Sequence, residues 1–396
     1  MKKALLFMLF IASIDSFAQS TLKLHKKAIV VDTHGDILSD QIKSGIDIGI
    51  RQKGGNFDLV RAKEGGLDVQ VFSVWSDYTG GFDLANRQID SLDALIKRHP
   101  NMIVKVRSAK ELKMAVKDGK MAALFGVEGG HMIEGSMKNL DSLAKRGMTY
   151  MTLTWNNSTP WASSAYEETF KKDSLKQLGL SNLGFQIVQR MNELGVIIDL
   201  SHVGENTFYD VIRASNKPVM ASHSSAYVFN AHQRNLKDDQ IKAIAKTGGV
   251  VFVNFYSGFL DSTYANKLSL FNARHKNELV ELSNKLGSKS LGQVEINKKY
   301  SAEIENLKAP LSLLIDHIDH MVKLVGANHV GLGADYDGAE SYPQGLEDVS
   351  KYPLITDALL ARGYSKNEVK KILGTNFIRL LKQTKINSKY STNRSI

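Results

Sequence analysis

With 396 residues, 43% of them hydrophobic, the chain can bury a large core in one big domain or two ordinary ones, and disorder is not the expected state. It has no cysteine, so disulfides, thiolate metal ligands and a cysteine nucleophile are excluded, and any metal must be held by His, Asp and Glu. The net charge of +10 comes from scattered Lys and Arg that no recognition motif interleaves with aromatics; it can gather anionic substrates, but nucleic acid is not an expected partner.

The first segment, "MKKALLFMLFIASIDSFAQS", has Lys2 and Lys3, an apolar stretch from Ala4 to Ile14, then Ser16 and Ala18 at the −3 and −1 positions of a cleavage site. This predicts a secretory signal peptide over 1–18 and a secreted or periplasmic protein. The stretch is shorter than the roughly 20 residues of a spanning helix, so no stable membrane anchor is expected.

From 19 to 385 the chain reads as one domain. Eight short apolar or alternating runs recur in order: "AIVVDTH" at 28, "VQVFSVW" at 69, "MAALFGVEG" at 121, "MTYMTLTW" at 148, "VIIDLSHV" at 196, "VMASHSSA" at 219, "GVVFVNFY" at 249 and "HVGLGADYDG" at 329. Between them lie segments such as "NLGFQIVQRMNELG" and "LSLLIDHIDHMVKLVG", apolar at intervals of three and four and closed by Gly195 and Gly326 as helices often are. Repeated strand-then-helix units predict an α/β fold, a (β/α)8 TIM barrel rather than a doubly wound sheet. The long connection before the last strand carries a lysine-rich helical insertion around 264–308, read as solvated decoration, and 386–396 reads as a flexible tail.

His34, Asp36, Glu128, His202, His223 and Asp335 each fall at or just past the C-terminal end of a predicted strand, the rim where such barrels carry their chemistry. Any one of them could cap a turn or pair with a lysine. Together they bring three imidazoles and three carboxylates into one small volume, which is untenable for the carboxylates unless cations sit among them. Even five of these six as ligands would exceed the needs of one catalytic zinc, so two ions fit better, bridged by a carboxylate about 3.5–4 Å apart with a hydroxide between them. Alternate residues of an extended chain point the same way, so His34 and Asp36 can grip one ion together.

The stretches "VDTHGDIL", "NFDLVRAKEGGLDVQVFSVW", "GVEGG", "GLSNLGFQIVQRMNELGVIIDLSHVG", "SHSSA", "QRNL" and "GLGADYDG" with "QGLEDVSKYP" make the chain resemble the membrane, or renal, dipeptidases of metallopeptidase family M19 from about Leu22 to Leu381. The resemblance implies a barrel of the metal-dependent hydrolase type with two Zn2+ per chain. His34 and Asp36 then correspond to ligands of one zinc, His202 and His223 to ligands of the other, and Glu128 to the bridge. Asp335 matches the family's catalytic acid/base and Arg234 its residue for the substrate's free carboxylate. The implied substrates are small free dipeptides, including ones with a D-configured C-terminal residue.

One departure stands out. Where the family usually carries a histidine thought to steady the oxyanion, "MTLTWNNSTPWA" has Trp155. Asn156 or Asn157 can donate instead, leaving Trp155 as a pocket wall, as core packing, or as itself the donor through its indole N–H, and Tyr256 is a further candidate substrate-binding residue. A homodimer is compatible with the chain only without the inter-subunit disulfide of some animal members, and "STNRSI" is no lipid-anchor signal. Fold alone leaves a second reading, a binuclear metal amidohydrolase acting on lactams, N-acyl amino acids or esters. His317 and His320, on the helix before the last strand, are expected to be structural, and His232 is a candidate pocket residue through its closeness to Arg234.

Overall fold

The computed structural model describes residues 21–39, 45–77 and 79–385, so the predicted signal peptide and tail lie outside the described residues. Each of the eight apolar runs contains a strand. In chain order the strands are β1 (Val31–Asp32), β2 (Val69–Trp75), β3 (Ile103–Lys105), β4 (Met121–Glu128), β5 (Met148–Thr152), β6 (Ile197–Asp199), β7 (Met220–Ala221), β8 (Val250–Val253) and β9 (Val330–Leu332). Every ladder is parallel, in the order β1-β2-β4-β5-β6-β7-β8-β9. The two ends of this sheet meet through a bridge between Gly35 and Tyr336. Hydrogen bonds from Thr33 N to Leu332 O (3.2 Å) and from Asp335 N to His34 O (3.1 Å) complete a nearly closed barrel.

The sequence reading omits β3. It has three residues and pairs only with the start of β4, where β5 has not yet begun. A run that short offers no period to detect.

Parallel strands covered on both faces read as continuous apolar runs, and β4 is buried along its whole length. Alternation still sorts its side chains: Ala122, Leu124, Gly126 and Glu128 share one face. Ala122 and Leu124 pack in a cluster with Val69, Val71, Tyr150, Ile197, Met220 and Phe252, whereas Ala123, Phe125 and Val127 pack with the surrounding helices. Glu128 therefore continues the series of Ala122 and Leu124 at the strand's C-terminal end. Gly126 matters by its lack of a side chain, since a Cβ there would lie 2.1 Å from Cζ of the Tyr150 ring.

The predicted helices form at Asn182–Leu194, capped by the Ser181 hydroxyl and ended by left-handed Gly195 (φ 68°), and at Leu311–Val325. The insertion folds as four helices, Tyr264–Arg274, Lys276–Leu286, Lys289–Lys299 and Ser301–Leu307. They close over a small core of Tyr264, Phe271, Ile296 and Leu307, against which Tyr256 packs. Among the described residues no helix is long and apolar enough to cross a membrane.

Candidate metal centre and substrate pocket

The polar rim residues converge. His34 and Asp36 follow β1, Glu128 is the last residue of β4, His202 and His223 follow β6 and β7, and Asp335 follows β9. All six are at least nine-tenths buried. His34 Nε2 lies 3.2 Å from Glu128 Oε2, 3.7 Å from Asp36 Oδ1 and 3.8 Å from Asp335 Oδ1. The other Glu128 oxygen faces elsewhere: Oε1 is 2.8 Å from His202 Nε2 and 3.4 Å from His223 Nε2. Donor atoms of His34, Glu128 and His223, and of His34, Asp36 and Asp335, form two sets close enough to hold a cation.

Two of these residues have left-handed backbone, His202 (φ 66°) and Asp335 (φ 63°). Such geometry costs a non-glycine residue about 1–2 kcal/mol and persists where the surroundings enforce it, often at functional sites.

The outer bonds of the imidazoles decide what the inner atoms offer. The Tyr150 hydroxyl donates to Thr33 O (3.2 Å), so it accepts from His34 Nδ1 (2.7 Å). Ser222 Oγ donates to Asp199 Oδ2 (2.6 Å) and accepts from His223 Nδ1 (2.7 Å). Asn156 Oδ1 accepts from His202 Nδ1 (3.2 Å). With each Nδ1 carrying the proton, three Nε2 lone pairs point at one another and at Glu128, and His202 Nε2 and His223 Nε2 are only 3.1 Å apart. Among the described residues, buried His34 Nε2 and Asp36 Oδ1 face only the other polar atoms of this cluster and have no hydrogen-bond partner outside it. A set of lone pairs and carboxylates of this kind fits divalent cations and little else.

The charges respond to this crowding. Burial and the neighbouring Glu128 carboxylate push Asp36 well above the usual carboxylate range. Burial raises Asp335 to about 6, with His34 opposing and Glu128 adding to the rise. Burial works against an ionised Glu128 too, but the facing imidazoles outweigh it and hold its carboxyl well below its ordinary value. Burial, then Arg234, lowers His202 to about 4. At His34 burial is outweighed by the carboxylates of Glu128, Asp36 and Asp335, which raise it to about 10, a measure of how strongly the site calls for positive charge.

Above the centre lies a cavity of about 530 Å³ lined by Asp36, Glu128, His202 and Asp335 together with Arg234, Trp75, Trp155, Asn156, His232, Tyr256 and Phe259. Arg234 is buried rather than a surface ion-pair residue. It donates from Nη2 to His223 O (3.1 Å) and from Nη1 to Ser224 Oγ (3.4 Å), and among the described residues no carboxylate pairs with it. Burial lowers it to about 10, so it stays a cation at neutral pH. A larger cavity of about 850 Å³ shares only His202, Gln233 and Arg234 with this one and does not reach Glu128 or Asp335.

Other candidates fall outside. Asn157 does not line the cavity; His317 bonds Ala226 N and Leu260 O, and His320 pairs with Asp238. Sequence reasoning missed Tyr150, Asp199, Ser222, Asn254, Trp75 and Phe259. Asn254 Nδ2 donates to Asp335 Oδ2 (3.0 Å), and its Oδ1 is fixed by Tyr256 N (2.6 Å). Its place directly after β8 was the one available signal.

The family model for membrane dipeptidase (peptidase family M19) matches residues 18–395. The chain belongs to this family. As an M19 member it is a metallodipeptidase, and the family's dependence on metal agrees with the cation-demanding cluster on the rim. The fold is similar to that of the probable dipeptidase PvdM from Pseudomonas aeruginosa, at 25% identity over 94% of this chain and 100% of that one, with a TM-score of 0.77. It also resembles an M19 metallopeptidase, dipeptidase AC (24% identity, 90% and 98% covered, TM-score 0.70). A metallopeptidase from Rhodobacter sphaeroides, solved with a phosphinate mimic of the dipeptide L-Ala-D-Ala, shares the fold at 23% identity (90% and 99% covered, TM-score 0.71).

Proposed function

We propose that this M19 enzyme hydrolyses the peptide bond of free dipeptides, D-configured C-terminal residues included, with two zinc ions per chain. His34 and Asp36 would hold one ion, His202 and His223 the other, and Glu128 would bridge them. The observation that carries this reading is the divergence of the two Glu128 oxygens, one toward His34 at 3.2 Å and one toward His202 at 2.8 Å. Ions held there would supply Lewis acidity for a carbonyl oxygen and would lower the pKa of a bound water toward neutral.

The protein's own groups do the rest. Asp335, kept in place by Asn254, is suited to take the proton of the attacking water and pass it to the leaving amine. Arg234, a buried cation without a carboxylate of its own, is suited to grip the substrate's terminal carboxylate with its planar fork. This favours dipeptides over lactams or esters that lack a carboxylate at that distance; N-acyl amino acids carry one there and differ from dipeptides only in lacking the free amino group. With Oδ1 engaged by His202, Asn156 has only its amide NH2 to offer a developing oxyanion. Trp155, packed edge-on against Trp75 at 5.2 Å, acts as a wall of the pocket. The predicted signal peptide supports export. Hydrolysis of a panel of L,L and L,D dipeptides by purified, metal-quantified protein tests the reading; metal-loaded protein that cleaves none of them overturns it.

Arg234→Ala is expected to lower kcat/KM for dipeptides by about 10–100-fold, the worth of hydrogen bonds to a charged group. C-terminally amidated dipeptides, already poor, should change little. Equal losses on both would make Arg234 a support for the His223 loop instead.

Ser222→Ala should weaken metal binding by about 10–100-fold, because His223 loses the acceptor that fixes its tautomer and orientation. Competition against a chelator measures this without reference to turnover, and Ser222→Thr should restore it. Unchanged affinity in Ser222→Ala would leave the Asp199–Ser222–His223 chain without a role in metal binding.

A further inference from the structure

The rings around the cavity go beyond the general reading of a dipeptidase and name a class of substrate, an inference that rests on that reading. Cζ of Arg234 lies 5.4 Å from the centre of the Phe259 ring. Phe259 in turn meets Tyr256 edge-on at 4.9 Å and His232 at 4.7 Å. All four residues line the 530 Å³ cavity. Tyr256, Phe259 and His232 are only half-buried, so they pack against the protein on one side and leave part of each ring toward the cavity. Burial keeps His232 neutral at pH 7, so it adds a ring and no charge to this wall.

A dipeptide whose carboxylate is clamped by Arg234 has its C-terminal Cα one bond beyond the carboxyl carbon. The side chain on that atom therefore starts beside the guanidinium, where Phe259 lies. The cavity is within the range of roughly 300–1,000 Å³ that accommodates ligands larger than a pair of methyl side chains. Its other aromatic wall, Trp75 and Trp155, stands near His202, with the Trp155 and His202 rings 6.4 Å apart. The lysine-rich insertion also acquires a purpose: its core residue Tyr264 packs edge-on behind Tyr256 at 5.9 Å and supports the wall from outside the barrel.

We propose that this chain selects dipeptides whose C-terminal residue carries a large apolar, above all aromatic, side chain, with Phe259 as the ring it stacks on and Tyr256 and His232 as its flanks. Small dipeptides of the Ala-Ala kind, whose side chains leave the wall uncovered, are then the poorer substrates.

The test is kcat/KM for Ala-Ala, Ala-Leu and Ala-Phe, each with an L or a D C-terminal residue, on metal-quantified wild-type protein. Ala-Phe is expected to exceed Ala-Ala about tenfold or more in the preferred configuration. Phe259→Ala should reduce that ratio about tenfold, while Phe259→Leu, which keeps apolar bulk, should retain most of it. If Phe259→Ala does not fold, the wild-type ratio and Phe259→Leu decide. A wild-type ratio at or below one overturns this inference alone, as does a ratio untouched in Phe259→Ala. No turnover on any of these dipeptides would overturn the dipeptidase reading and this inference with it.

Discussion

Glu128→Gln is expected to remove metal and activity together. The substitution keeps the shape of the side chain but deletes the charge that faces His34 at 3.2 Å and His202 at 2.8 Å. It also turns an amide NH2 toward one of the two sets of lone pairs, where it donates a hydrogen bond to an atom that would otherwise hold a cation. Breaking a buried charge interaction by changing one partner typically costs about 3–5 kcal/mol, which corresponds to roughly two to four powers of ten in metal affinity. Because the proposed bridge would serve both proposed ions, the loss is expected on both rather than one. Elemental analysis after dialysis should therefore show wild-type protein with two ions and the variant with fewer, and dipeptide turnover should drop below detection. A single ion in fully active wild-type protein would end the two-ion reading, and full occupancy in Glu128→Gln would take Glu128 out of the ligand set.

The strand ends were legible in the sequence because a parallel barrel writes each strand as an apolar run and places the candidate site residues in the polar break at or just after its end. His34, Asp36, Glu128, His202, His223 and Asp335 all stand at such breaks, and the structure brings them within a few ångströms of one another. What holds them is far less legible. Tyr150 sits inside "MTYMT" and reads as one more core residue, yet its hydroxyl bonds a histidine 116 positions away. Asp199 ends β6 and reads as a turn former, whereas its carboxylate collects the Ser222 hydroxyl, the Ser222 amide and the Thr152 hydroxyl. The aromatic walls were hidden for a similar reason. Trp75 closes an apolar strand, and Phe259 lies in a four-residue helix, Ser257–Leu260, with no period to expose which side it presents. Periodicity reports whether a side chain faces inward; it does not report which distant polar atom waits there.

Asp335→Asn is expected to separate chemistry from metal binding. Asparagine tolerates left-handed backbone better than any residue but glycine, so the φ of 63° at this position is kept at little cost. Alanine at the same place would add strain and blur the result. The amide oxygen can still accept from Asn254 Nδ2, which now holds Asp335 Oδ2 at 3.0 Å, so the side chain should keep its orientation. What it loses is the capacity to take up and return a proton. General acid–base catalysis by a positioned side chain contributes about 10²–10⁴ in rate. Turnover on the best dipeptide should fall by that much, with KM and metal content near wild type and an unchanged circular dichroism spectrum. The carboxylate of Asp335 also stands 3.8 Å from His34 Nε2, so a role as a metal ligand is the competing account. The two diverge in one measurement: a general acid/base predicts full occupancy with slow turnover, whereas a ligand predicts that metal is lost and that excess zinc restores the rate. Near-normal turnover in Asp335→Asn would remove this residue from the mechanism altogether.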